Sequence, residues 1–120
     1  MEYNIIGLIK SPQKGITRVD TDKILQAIQT HIDPDATYSN LSFRFKYRDE
    51  MHTVFCDNEL SEGWNWKRVP DQAKVLCLMS GATQKNGSVY AEAIKSIVSL
   101  FGGWFIDVED QTTTIVEKLQ

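Results

Sequence analysis

The octapeptide Leu41–Arg48, LSFRFKYR, alternates without a break. Leu41, Phe43, Phe45 and Tyr47 fall on one side, and Ser42, Arg44, Lys46 and Arg48 on the other. A strict period of two fits a strand and excludes an amphipathic helix, whose apolar positions recur every three to four residues. One face of this strand must therefore meet a core, while the other stays wet and basic. Asp49-Glu50 is expected to turn the chain, so that Met51–Cys56 (MHTVFC) returns as an antiparallel partner. The turn lacks the Asn-Gly or Asp-Gly pair of the tightest hairpins, which leaves its register open.

A single alternating strand cannot bury its own apolar face, so the rest of the chain must supply further strands and a covering layer. Tyr3–Ile9 is apolar on both faces and reads as a central strand. Asp20 is placed to cap a helix in which Ile24, Leu25, Ile28 and Ile32 form one stripe, ended by Asp33-Pro34-Asp35. Ala73–Met79 reads as a buried strand. Ser88 is a candidate cap for a second helix, with Val89, Tyr90, Ala93, Ile94, Ile97, Val98 and Phe101 on its apolar side and Gly102-Gly103 closing it. Trp104–Val108 resumes as a strand, and the β-branched Thr112–Val116 favours a last one. The order β-α-β-β-β-α-β predicts an α+β two-layer sandwich of the ferredoxin-like kind, a single domain over residues 1–120. Two helices would lie on one face of an antiparallel-rich sheet, and the other face would be open.

Composition removes several function classes. The formal charge of −3 argues against non-specific nucleic-acid binding, which relies on clustered positive charge. No apolar run approaches the ~20 residues that span a bilayer, and the first residues carry no basic leader, so a cytoplasmic location is expected. Cys56 and Cys77 sit in strand-like segments and read as buried free thiols, without need of a disulfide. No cofactor or metal site is expected, because no spacing of His31, His52 and the cysteines resembles a ligand pair.

Catalytic constellations are weak. His52 and Cys56 share a strand face, but positions four apart on a strand are separated by ~13 Å. A surface histidine beside a core cysteine is the simpler reading. Ser80–Gly87 (SGATQKNG) follows a strand and precedes a helix, yet lacks the glycine spacing of a phosphate loop. The basic stripe Arg44, Lys46, Arg48 reads as a solvated face, with a phosphate or an acidic protein as its alternative contact. RNA-binding sheets carry stacking aromatics on that face, whereas Phe43, Phe45 and Tyr47 point the other way.

Two acidic groups remain, Asp57, Glu59 and Glu62 before the tryptophans and Asp107, Glu109 and Asp110 after the second helix. Between them, Trp64 and Trp66 lie two apart in SEGWNWKRVP, on one side if the segment is extended. They are either a structural lid or an interface anchor, since tryptophan beside arginine and acids is the composition of binding hot spots. The segments LFGGWFIDVED (Leu100–Asp110) and DNELSEGWNW (Asp57–Trp66) resemble in type the small immunity proteins of contact-dependent and related polymorphic toxin systems. The resemblance implies a non-enzymatic protein that binds and inhibits one cognate bacterial toxin through acidic residues. The leading expectation is thus a protein-binding module with Trp64, Trp66, Asp57, Glu59, Glu62, Asp107, Glu109 and Asp110 as partner-binding residues. The alternative is a ferredoxin-like ligand-binding or regulatory domain that dimerises through its sheet, and a third reading is a small enzyme using His52.

Overall fold

The structure, a computed structural model, describes residues 5–10, 21–57, 75–81, 87–107 and 111–119. The elements run β1 (Ile5–Lys10), α1 (Thr21–His31), β2 (Thr37–Ser39), β3 (Ser42–Tyr47), β4 (Glu50–Asp57), β5 (Val75–Gly81), α2 (Gly87–Ser99), β6 (Gly103–Asp107) and β7 (Thr112–Val116). The expected α+β class holds, with strands β2 and β7 added to the seven-element order. One antiparallel sheet takes the order β2-β3-β4-β5-β1-β6-β7. Four of its strands, β4, β5, β1 and β6, are interleaved: β5 lies between β1 and β4, and β1 lies between β5 and β6. The β2–β3 hairpin then widens the sheet at one edge and β7 at the other.

The strand parity read from LSFRFKYR survives, except at its first residue. Phe43 and Phe45 are fully buried, and Arg44 and Lys46 are exposed. Leu41 instead sits in a two-residue turn with Asn40, at φ 60° and 51°, and is two-thirds exposed. Arg48 and Asp49 form the second such turn, at φ 51° and 61°, one residue earlier than expected, with Tyr47 paired to Glu50. Positive φ at both central residues twists the ribbon in the hand that antiparallel strands prefer, whatever the residue types. A leucine held there is strained by about 1–2 kcal/mol. Leu41→Gly completes the favoured Asn-Gly pair, and after glycine's greater unfolded entropy should raise stability by about 0.5–1 kcal/mol in chemical denaturation. A loss would show that the exposed leucine makes contacts worth more than its backbone strain.

Both helices pack on one face. Ile24 and Ile28 of α1 and Tyr90, Ala93, Ile94, Ile97 and Val98 of α2 join Ile5, Ile9, Phe43, Phe45, Val54, Cys56 and Phe105 in one buried cluster. Fully burying a large apolar side chain stabilises by about 1.5–3 kcal/mol, so this layer dominates the fold's stability. The opposite face is not open as expected. Ile6, Leu8 and Ile106 have no exposed surface and Trp104 only 9%. On the same face of β3 and β4, Arg44, Thr53 and Phe55 are exposed. Cys56 is a buried free thiol, as expected. Among the described residues no helix is long and apolar enough to cross a membrane.

Candidate functional site

Both helices end at the same border of the molecule, and the groove between their ends is where described side chains of one charge converge. At the end of α1, the carbonyl of Ile28 accepts the N–H groups of Ile32 (2.8 Å) and Asp33 (2.9 Å). The Asp33 carboxylate then accepts the N–H of Asp35 through Oδ1 (2.9 Å) and that of Lys46 through Oδ2 (2.7 Å). Strand β2 stops pairing at Thr37 opposite Arg44, so Asp33 takes over beside β3 and fixes Lys46 against the end of α1. Those two N–H groups hold the Asp33 carboxyl below the usual carboxylate range. At the end of α2, Gly102 at φ 84° donates to Val98 O (2.7 Å), and the N–H of Leu119 reaches Ser99 O (2.8 Å). The second bond lays the C-terminal segment on the helix end.

The result is a groove of about 630 Å³, within the range of ligand clefts. Its floor is apolar, from Ile32, Leu100 and Leu119, and its hydroxyls come from Tyr47, Ser96 and Ser99. Lys46, Arg48 and Lys118 supply cations, and His31 a fourth basic group; among the described residues no carboxylate lines it. Arg48 Nη1 lies 2.5 Å from Glu92 Oε2, without the alignment of a hydrogen bond, and its guanidinium sits 5.6 Å from the Tyr47 ring centre. That pair is largely exposed and worth at most about 1 kcal/mol. Each helix end contributes roughly half a negative charge. Glu92, the Asp33 carboxylate beside Lys46 and the two helix ends together offset the three cations, so the groove is close to neutral overall and does not suit a polyphosphate.

The acidic candidates fare differently. Asp57 ends β4 opposite Leu78, in the row that continues through Leu8 and Trp104. Asp107 ends β6 opposite Ile5, whose side chain belongs to the helix-side cluster. Their strands are three places apart in the sheet, ~14 Å, so the two backbone positions are not neighbours. Trp64, Trp66, Glu59, Glu62, Glu109 and Asp110 lie outside the described residues.

His52 is a correction. It does share a face with Cys56, but that face is the core, and the imidazole is only 5% exposed. It pairs with Phe45 across the hairpin and stands among the rings of Phe45, Tyr47 and Tyr90, at 6.0, 6.2 and 5.8 Å. Its Nε2 lies 3.3 Å from the carbonyl of Tyr47. An imidazole so enclosed is part of the core, not the surface histidine expected. Tyr90 completes the cluster by donating to Thr53 O at 2.6 Å, and burial raises its phenol to about 12. Because the folded value lies above that of the unfolded chain, the contribution to stability is complete below pH 10 and disappears as pH rises through about 12. Alkaline unfolding in that window should be blunted in Tyr90→Phe. In the folded wild type, ultraviolet titration should find one of the four tyrosines ionising near 12.

Two features escaped the sequence. Phe55 is exposed on the same face as Arg44, diagonal to it across β3–β4, so the basic stripe does have an aromatic neighbour. Its position in an apparently apolar run concealed that. His31, Ser96, Ser99 and Lys118 come from three distant segments, and no local pattern marks them as neighbours. Among the described residues no three His, Cys, Asp or Glu side chains are grouped to hold a metal ion. No protein-family model matches the chain, and neither a curated protein nor a solved structure is significantly similar to it.

Proposed function

We propose that this chain is a non-enzymatic protein-binding module of the immunity type, built on a ferredoxin-like core, which inhibits a cognate bacterial toxin in the cytoplasm. The carrying observation is the groove of Lys46, Arg48 and Lys118 over an apolar floor. Its three cations beside apolar side chains match an acidic, partly apolar segment of a partner protein. The interleaved order of β4, β5, β1 and β6 supports the ferredoxin-like core, with the β2–β3 hairpin and β7 as additions. Enclosure of His52 speaks against the enzyme reading that depended on it. In this reading Trp64 and Trp66 anchor the contact, while Asp57 and Asp107, on strands three places apart, steer it rather than form its centre.

The test is binding to the toxin domain encoded beside this gene. Titration calorimetry should show a complex that weakens with salt, together with loss of toxin activity. Arg48→Glu with Lys118→Glu should weaken it roughly tenfold or more, equivalent to about 1.4 kcal/mol. Trp64→Ala should weaken it independently. No complex with that toxin would remove the immunity reading. A complex indifferent to the charge reversals would remove the groove from it.

A further inference from the structure

Every second residue of β3 and β4 turns away from the helices, and pairing across strands sets these residues in rows. Arg44 stands opposite Thr53 of β4 and, on its other side, opposite Thr37 of β2, so one row runs Thr37, Arg44, Thr53. Phe55 lies diagonal to Arg44, and Lys46 follows two residues further along β3 with Met51 opposite it. All six are exposed, Met51 by 56% and Phe55 by 40%. The basic stripe read from LSFRFKYR thus acquires a wet aromatic ring from the returning strand. None of the six is acidic, so the net charge of −3 comes from other parts of the chain. The Asp33 carboxylate, held on the N–H of Lys46, partly offsets that lysine. Among the described residues no carboxylate pairs with Arg44.

We infer that this outer face of β2, β3 and β4 binds single-stranded nucleic acid, with a base stacked on Phe55 and the adjoining phosphate on Arg44. The site goes beyond the groove between the helix ends, with which it shares only Lys46. Diagonal positions across an antiparallel pair are ~7–8 Å apart, within reach of long and aromatic side chains, so one nucleotide can meet the ring and the guanidinium together. Arg44 and Lys46 lie ~7 Å apart along β3, and a strand laid along β3 offers them successive phosphates. The hydroxyls of Thr37 and Thr53 flank Arg44 and can donate to phosphate or sugar oxygens, as threonines do in such contacts. Stacking needs a flat ring and no pocket, because every base has a π-face. An acidic peptide would meet the same cations, but its anchoring side chains need pockets to fill. A duplex keeps its base faces in the stack and cannot use Phe55. One stack and one or two phosphates make the contact weak and tolerant of sequence.

Fluorescence anisotropy with labelled oligothymidylate and oligouridylate of about eight nucleotides should show saturable binding by the purified chain in low salt. The logarithm of the affinity should fall against that of salt with a slope of roughly −0.7 per phosphate held, between about −0.7 and −1.4. Arg44→Glu should weaken binding tenfold or more, and Phe55→Ala roughly fivefold or more, with unchanged circular dichroism spectra. Phe55→Trp should retain it, since an indole stacks as a phenyl ring does. A preference for either oligonucleotide supports the inference and shows whether the 2′-hydroxyl takes part. Absence of binding in low salt overturns it, as does binding that ignores Phe55→Ala or Arg44→Glu. Equal binding of a duplex of the same length overturns it too. Equal displacement by polyglutamate does the same and makes the face a surface for an acidic protein.

Discussion

Gly103→Ala is expected to cost about 3 kcal/mol or more, a large share of the 5–15 kcal/mol typical of a domain. Gly103 opens β6 opposite Ile9 of the central strand, and a methyl group there would stand 1.9 Å from the carbonyl oxygen of Leu8 and 2.9 Å from its carbon. Those atoms are backbone of β1, which is held by strands on both sides and cannot yield as a side chain would. The glycine beside it behaves differently. At Gly102 an added Cβ meets nothing nearer than 3.5 Å, so Gly102→Ala carries only the backbone strain of φ 84°, about 1–2 kcal/mol. Chemical denaturation of the two variants should therefore differ by at least 1 kcal/mol. Equal losses would show that β1 and β6 do not approach as closely as described.

Phe45→Ala is expected to destabilise by about 3–5 kcal/mol, the usual result of removing a fully buried aromatic ring. In a domain of this size that lowers the melting temperature by about 15 °C. Phe45 sits at the centre of the hairpin's inner face and supplies one wall of the His52 cluster, so its removal also leaves an imidazole beside an empty space. Phe55→Ala serves as the contrast. Its ring is 40% exposed on the other face, and the cost should stay near 1 kcal/mol. Thermal melts followed by circular dichroism separate the two. Similar losses would mean that the parity of the hairpin is reversed.

Period-two parity placed Phe45 inward but did not mark Phe55 as exposed, and most of the fold was legible in the same way. The alternation of Phe43, Phe45 and Tyr47 with Arg44 and Lys46 places three side chains inward, wholly or partly, and two outward. The stripes Ile24–Ile28 and Tyr90–Val98 identify both helices, and Thr112–Val116 was favoured as the strand it forms. Three readings failed for a common reason. Leu41 was placed inside a strand, but the twist of a two-residue turn holds it at positive φ. His52 was placed on the surface because histidine is polar, although it shares its face with Cys56. The face opposite the helices was taken as open, while Ile6, Leu8 and Ile106 are buried there. In each case position in the sheet overrode residue type.

The candidate site was less legible. Lys46 and Arg48 belong to a stripe visible in the sequence, but His31, Ser96 and Lys118 join them only because both helices end at one border and Leu119 binds Ser99. The acids Asp57 and Asp107 looked equivalent along the chain, yet their strands lie three places apart in the sheet.

By itself, the sequence determined the class, the helices, the central position of β1 and the inner face of the hairpin. These follow from local periodicity and apolar content, which a chain expresses wherever it lies. Tertiary structure alone decided the strand order, the basic groove and the enclosure of His52. Each of these depends on contacts between segments far apart in the chain, and the free energy of such contacts leaves no periodic mark on either segment.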